Sequence, residues 1–138
     1  MSILIFSYMH IKRFLEWIGV KKALHSSEQV IPLVSEGQIW WASLGENVGY
    51  EINGKSRLFT RPVLIFKKLS DQFYLVVPLT SQKKVGSWYV NYRQRGEDFS
   101  ACIHQIRTID YRRLSTRLGW FDERDFARIK DGFIKLYL

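Results

Sequence analysis

The runs GQIWWASLG (37–45), RPVLIFKKL (61–69) and QFYLVVPL (72–79) decide how this chain folds. Each is short, rich in β-branched and aromatic residues, and bounded by turn formers, the pattern of a strand that packs on a sheet. Ser70-Asp71 is too short a connection for anything but a hairpin between the second and third runs. SWYVNY (87–92) and SACIHQIRTI (100–109) continue the pattern as two further strands, separated by the polar stretch RQRGEDF. Five strands at this spacing with no helix between them predict an antiparallel sheet or small barrel. Alternation along the first run sends Trp40 and Trp41 to opposite faces, so at most one of them serves a groove or interface.

Helices flank this core. Upstream, Ile11, Phe14, Leu15 and Ile18 recur at i, i+3, i+4 and i+7, which predicts a helix over 10–24 with that stripe packed on the barrel. Its basic face, with Lys12, Arg13, Lys21 and Lys22, would also suit a membrane surface or a partner. HSSEQVIPLVSE (25–36) reads as a linker. Downstream, Asp122 is a good N-cap, Glu123 and Asp125 favour the first turn, and Phe126, Ile129 and Phe133 form the buried face of a closing helix. The expected fold is therefore mainly β with flanking helices (α+β): a barrel domain over 36–138 and an N-terminal helical extension over 1–35. Between two apolar strands lies GENVGYEINGKSRLFT (45–60), a long glycine-bearing loop to which Lys55 and Arg57 add positive charge. Long loops in compact domains commonly carry function, and this one has the makings of a substrate lid.

Composition bounds the rest. The 138 residues suit one domain, and 46% apolar content suffices for one core. Lys and Arg outnumber Asp and Glu by 21 to 13, a net charge of +8 that favours phosphate backbones. Aromatics make up 15% and serve either as core or as surfaces on which unpaired bases stack. The lone Cys102 cannot form an intramolecular disulfide, which fits a reducing cytosol, and its apolar neighbours place it in the core rather than as a nucleophile. His10, His25 and His104 have neither metal-ligand spacing nor a cysteine cluster nearby, so no metal or cofactor is expected. The opening MSILIFSYM lacks a basic lead and a cleavage site, and no segment approaches the roughly 20 apolar residues of a membrane span. A cytoplasmic chain with no membrane partner is expected.

Five short motifs follow one another: Gly37-Gln38-Ile39-Trp40, Gly49-Tyr50-Glu51, Arg61-Pro62, Pro78-Leu79-Thr80-Ser81 and Gln105-Ile106-Arg107. Each alone is common, but their order resembles the MazF/PemK family of toxin–antitoxin ribonucleases. The ending RTIDYRRLSTRLGWFDERDFARIKDGFIKLYL resembles that family's last strands and terminal helix. The resemblance covers roughly residues 36–138. It implies an SH3-like or CcdB-like barrel, usually a homodimer, that binds single-stranded RNA in a groove at the dimer interface. It also implies sequence-preferring cleavage and a cognate antitoxin whose disordered tail fills the same groove. Its catalytic pair falls on Arg61 and Thr80. Where many members read Gly-Ser-Glu-Gln, this chain has Gly49-Tyr50-Glu51-Ile52, a departure that bears on which RNA sequence is preferred.

RNA is cleaved without metal when the ribose 2′-hydroxyl attacks the adjacent phosphorus, which requires stabilising a charged phosphorane. A planar guanidinium at Arg61 suits that task, and a rigidly held Thr80 hydroxyl would orient the phosphate or the 2′-hydroxyl. The alternatives are a strand-edge Arg61 paired with Glu46 or Glu51 and a Thr80 that merely caps a turn. Tyr50, Glu51, Lys55, Arg57, Ser81 and Gln105 are the expected substrate contacts. Glu51 either pairs with Arg61 or accepts from a base edge; Gln105 faces the groove or sits as a sheet-edge amide. His104 would titrate near neutrality, but strand alternation turns it away from Gln105, so a structural role is expected. The competing function is a barrel that binds protein or nucleic acid without cutting, as the structurally similar gyrase-poisoning toxins bind protein.

Overall fold

A computed structural model describes residues 3–138, with side chains from Arg13 onward. Seven strands follow the N-terminal helix α1 (Ile3–His25): β1 (Gln38–Ser43), β2 (Thr60–Ser70), β3 (Phe73–Thr80), β4 (Tyr89–Gln94), β5 (Glu97–Cys102), β6 (Arg107–Asp110) and β7 (Leu114–Trp120). Helix α2 (Glu123–Tyr137) closes the chain. The pairing is antiparallel in the order β4-β5-β3-β2-β1-β7, with β6 also on β3. Strand β3 divides its length between two partners: Phe73–Val76 pair with β6, and Leu79 and Thr80 with β5. That division opens the sheet into two wings and lets it curl.

The continuous apolar runs have a physical reason. Val63, Leu64 and Ile65 are all fully buried because β2 is central and covered on both faces. Val63 and Ile65 join Trp40, Ala42, Tyr74 and Val76 in one core, while Leu64 joins Ile39, Val77, Ile103 and Ile129 in a second on the other face. Helix α2 covers the second core. Asp122 accepts from the amides of Arg124 and Asp125, as its N-cap position requires, and Ile129 is fully buried. Phe66 packs between Phe126 and Phe133, with ring centroids 6.0 and 5.3 Å away.

Four local expectations need correction. RQRGEDF is not a spacer: β4 and β5 run through it and turn at Arg95-Gly96, both with positive φ (52° and 77°), the geometry of a two-residue hairpin. SACIHQIRTI is not one strand, because Ile103–Gln105 form a turn of 3-10 helix between β5 and β6. Strand β7 has no counterpart among the five expected strands, since only Leu114 of its seven residues is buried and no periodicity marks it. Helix α1 starts earlier than residue 10, and two members of its expected stripe do not pack: Leu15 and Ile18 are exposed, whereas Trp17 is buried. Ile11 of that stripe lies outside the residues whose side chains are described.

Candidate functional site

The strand register builds the site. Val63 pairs with Pro78 and Leu64 with Val77, so the start of β2 runs beside the end of β3, where Arg61 Nη1 reaches the Leu79 carbonyl. On the other side, Arg61 pairs with Ala42 of β1. Its guanidinium is fixed by two backbone carbonyls: Nε donates to Asn53 at 2.8 Å and Nη1 to Leu79 at 3.3 Å. Neither Glu46 nor Glu51 pairs with it, contrary to the alternative for this residue. Glu46 pairs instead with Arg13, and Glu51 accepts from the amide of Val48 within its own turn.

Among the described residues Arg61 therefore has no carboxylate partner, and three of its five N–H donors make no bond there. Burial pushes its pKa below the ordinary arginine value, and the nearby Cys102 opposes that shift. The opposition is small at neutral pH, because burial raises the Cys102 thiol to about 11 and leaves it uncharged. Cys102 is a core residue, as its neighbours predicted.

Arg61 and Thr80 share the wall of a cavity of about 690 Å³. It lies between the start of β2, the end of β3, the β4–β5 hairpin, the end of β7 and residues 55–56 of the long loop. Lys55 and Ser81 of the expected contacts also line it. The wall holds three cations, Lys55, Arg61 and Arg95, and one carboxylate, Glu97. Its apolar part includes four aromatic residues, Trp41, Tyr92, Phe99 and Trp120. Of the tryptophan pair, Trp40 belongs to the core and Trp41 to the cavity. Thr80 is buried, and its hydroxyl accepts from the amide of Gln82 at a long 3.3 Å. The turn-capping alternative is thus present as a weak bond, which leaves the hydroxyl hydrogen free to donate.

Four expected contacts stand elsewhere. Gln105 donates to the Tyr50 carbonyl and accepts from the Ile52 amide, at 2.8 and 3.1 Å, so it ties down the 50–52 turn. Tyr50, Glu51 and Arg57 are exposed, and none of them lines the cavity. The residues that sequence reasoning missed are Gln94, Arg95 and Glu97 at the β4–β5 hairpin and Leu118 and Trp120 of β7. The alternation of YVNYRQ and EDFSAC about Arg95-Gly96 was the available signal.

His104 sits outside this wall. It lies on the 3-10 turn, not on a strand, with its ring stacked 4.7 Å from Trp88 and edge-on to Tyr89 at 5.0 Å. Its Nδ1 is 3.3 Å from the Trp88 carbonyl. Burial holds its pKa below the ordinary value, against the raising effect of that carbonyl. The unfolded chain therefore binds the proton more readily, so the stability that His104 contributes is present above about pH 6.5 and lost as the pH falls through the lower folded value. Thermal melts between pH 8 and pH 5 should show this decline, and His104→Phe should flatten it. An unchanged slope in that variant would remove His104 from the account.

Among the described residues, no cluster of histidine, cysteine or carboxylate side chains could hold a metal ion, and no helix is long and apolar enough to cross a membrane. The sequence model of the PemK-like, MazF-like toxins of type II toxin–antitoxin systems matches residues 35–137. No curated protein matches the chain. Among solved structures, a MazF from Deinococcus radiodurans is similar with a TM-score of 0.63 at 19% identity, over 78% of this chain and 97% of that one. An endoribonuclease in complex with its cognate antitoxin, from Mycobacterial species, is similar with a TM-score of 0.56 at 16% identity, over 75% and 93%. A MazE–MazF complex from Deinococcus radiodurans gives 0.57 at 16% identity, over 78% and 96%. These likenesses carry the fold. The family match runs through the whole sheet and both strands that meet at Arg61 and Thr80, and the chain belongs to the PemK-like, MazF-like toxins of type II toxin–antitoxin systems.

Proposed function

We propose that this chain is an endoribonuclease toxin that cuts single-stranded RNA by attack of the ribose 2′-hydroxyl. The observation that carries the reading is the meeting of an unneutralised, doubly anchored Arg61 with the Thr80 hydroxyl on one cationic, aromatic-walled cavity. In the reaction the 2′-oxygen loses its proton and bonds to phosphorus, the bond from phosphorus to the 5′-oxygen breaks, and that oxygen takes up a proton. Arg61 serves the phosphorane, because its remaining N–H groups can donate in parallel to two non-bridging oxygens. Thr80, on the same cavity wall, orients the phosphate or the attacking hydroxyl. Lys55 and Arg95 draw the backbone in, and Trp41 and Trp120 offer faces on which unpaired bases stack.

The same surface suits an acidic antitoxin segment, whose charge complements the +8 chain. A homodimer would extend the groove. The long loop (45–60) and the departure at Tyr50 and Ile52 bear on sequence preference.

The reaction should proceed in excess EDTA and leave a cyclic phosphate and a free 5′-hydroxyl, with DNA uncut. Pure protein incubated with a mixed-sequence RNA, followed by end analysis of the fragments, checks this. Retarded but intact RNA would replace the nuclease with a binding module, and activity lost on chelation and restored by magnesium would replace the mechanism. An antitoxin that shares the cavity suppresses cleavage in competition with RNA; simultaneous binding of both would separate the two surfaces.

A further inference from the structure

We propose that helix α1 is a positioning element for the cavity, acting through Arg13 and Trp17 on the loop between β1 and β2. The helix lies outside the residues that the family model matches, and its Arg13 and Trp17 both reach the loop that follows β1. Arg13 reaches two points of the loop at once. Its Nε donates to Glu46 at 3.0 Å and its Nη1 to the Ser56 carbonyl at 3.4 Å, while the guanidinium carbon lies 4.1 Å over the Phe59 ring. Trp17, one helical turn on, packs on the same Phe59 with centroids 5.4 Å apart. It also lies so close over Gly45 that a Cβ there would overlap the indole. The guanidinium of Arg113, which itself donates to the Ser43 carbonyl, stands 5.6 Å over the Trp17 ring.

The loop clamped in this way is the one that forms the site. Asn53 supplies the carbonyl that anchors Arg61, and Lys55 and Ser56 line the cavity. Arg13 binds the loop at Glu46 and Ser56, on both sides of Asn53. The Glu46 carboxylate is only 6% exposed, so withdrawing Arg13 leaves a buried charge without its partner. The loop must then shift or hydrate, and Asn53 with it. Simple adhesion of the helix is a poor account of this arrangement. Its apolar Leu15 and Ile18 face solvent, while Arg13 and Trp17 both meet the loop at Phe59.

The effect on rate rests on the proposed nuclease reading; the hold on the loop does not. The test therefore has two readouts on the full chain. Arg13→Ala and Trp17→Ala should raise amide exchange about tenfold at Gly54, Lys55 and Thr60, whose N–H groups bond within the loop. Amides of Val76 and Val77 in β3 should not change. In single-turnover RNA cleavage, kcat should fall roughly 10- to 100-fold with a much smaller change in KM, as expected when a catalytic group is misplaced while substrate binding is kept. Trp17→Phe should recover most of the rate. Lys21→Ala, which removes a charge from the same helix away from the loop, should alter neither readout, which excludes a general electrostatic cause. Unchanged exchange and rate in folded Arg13→Ala would overturn the proposal, as would a uniform rise across β3, which would make α1 a global stabiliser. If the wild-type chain does not cut RNA, the exchange pattern still decides the clamp, and only the nuclease reading falls.

Discussion

Arg61→Ala is expected to lower the chemical step of RNA cleavage by about 10²–10³-fold, the effect of losing a donor aimed at charge that develops in the transition state. A guanidinium interaction tightens as the phosphorane forms, so its removal reaches kcat more than affinity. Arg61→Lys should restore little. An ammonium keeps the charge, but it can neither span the Asn53 and Leu79 carbonyls nor present paired N–H groups beyond them. Thr80→Ala should also slow the reaction, and Thr80→Ser should recover part of the rate by returning the hydroxyl. His104→Ala is the control, since its ring belongs to the Trp88–Tyr89 stack outside the cavity; it should reduce stability without a selective loss of rate. Single-turnover kinetics on variants shown to be folded by circular dichroism decide the matter. A folded Arg61→Ala enzyme near the wild-type rate, beside a folded but dead His104→Ala, would put the active site on the other face.

Where burial imposes a pattern on this chain, the pattern is legible in its sequence. The unbroken Val63-Leu64-Ile65 announces a strand covered on both faces, and Asp122 ahead of Phe126 and Ile129 announces a capped helix. Strand β7 is invisible to periodicity, because six of its seven residues escape burial and its pairing is with backbone, which leaves no imprint on side-chain type. The turn at Ile103–Gln105 is hidden for a related reason: Ala101, Cys102, Ile103 and Ile109 are all buried, so their apolar character does not record where the strand breaks. Strand alternation is thus the wrong reason for separating His104 from Gln105, although the two do point to different partners. In helix α1 the stripe rule fails at Leu15 and Ile18, because the buried Trp17 lies off the stripe and turns them to solvent.

The site divides along the same line. Arg61 and Thr80 line one cavity because β2 and β3 pair side by side up to Val63 and Pro78, and register follows from the apolar strands themselves. The roles of Glu51 and Gln105 depend on the path of a loop, where bonds such as Gln105 to Tyr50 link residues far apart in sequence. Charge and polarity in the sequence mark such residues as candidates for substrate contact. Only the loop's path shows that the glutamine holds the loop and the glutamate closes its own turn.

The path of that loop sets up the second large effect, at Gly54. A Cβ added there would overlap the carbonyl of Phe59, and its next neighbours are also main chain, so no side-chain rotation relieves it. The same carbonyl accepts from the amides of Leu44 and Gly45, at 2.9 and 3.2 Å, where β1 ends. Gly54 itself donates to the Gly45 carbonyl, and the next residue, Lys55, exchanges two 2.8 Å bonds with Thr60. Gly54→Ala must therefore push apart a knot of backbone bonds next to Asn53, the residue whose carbonyl anchors Arg61. Overpacking of this kind costs typically 1–3 kcal/mol, or roughly that much in urea unfolding, provided that the fold survives. The rate should suffer beyond the loss of folded protein, by roughly 10²-fold, because Arg61 loses the fixed geometry that makes it useful. Gly19→Ala is the matched control. It sits in α1 with open space around its Cβ, so the change should stabilise the chain by about 0.5–1 kcal/mol and leave cleavage untouched. Urea midpoints together with single-turnover rates separate the two contributions. A Gly54→Ala chain with an unaltered midpoint and full activity would show that neither the close approach to Phe59 nor the hold on Arg61 matters to the working protein.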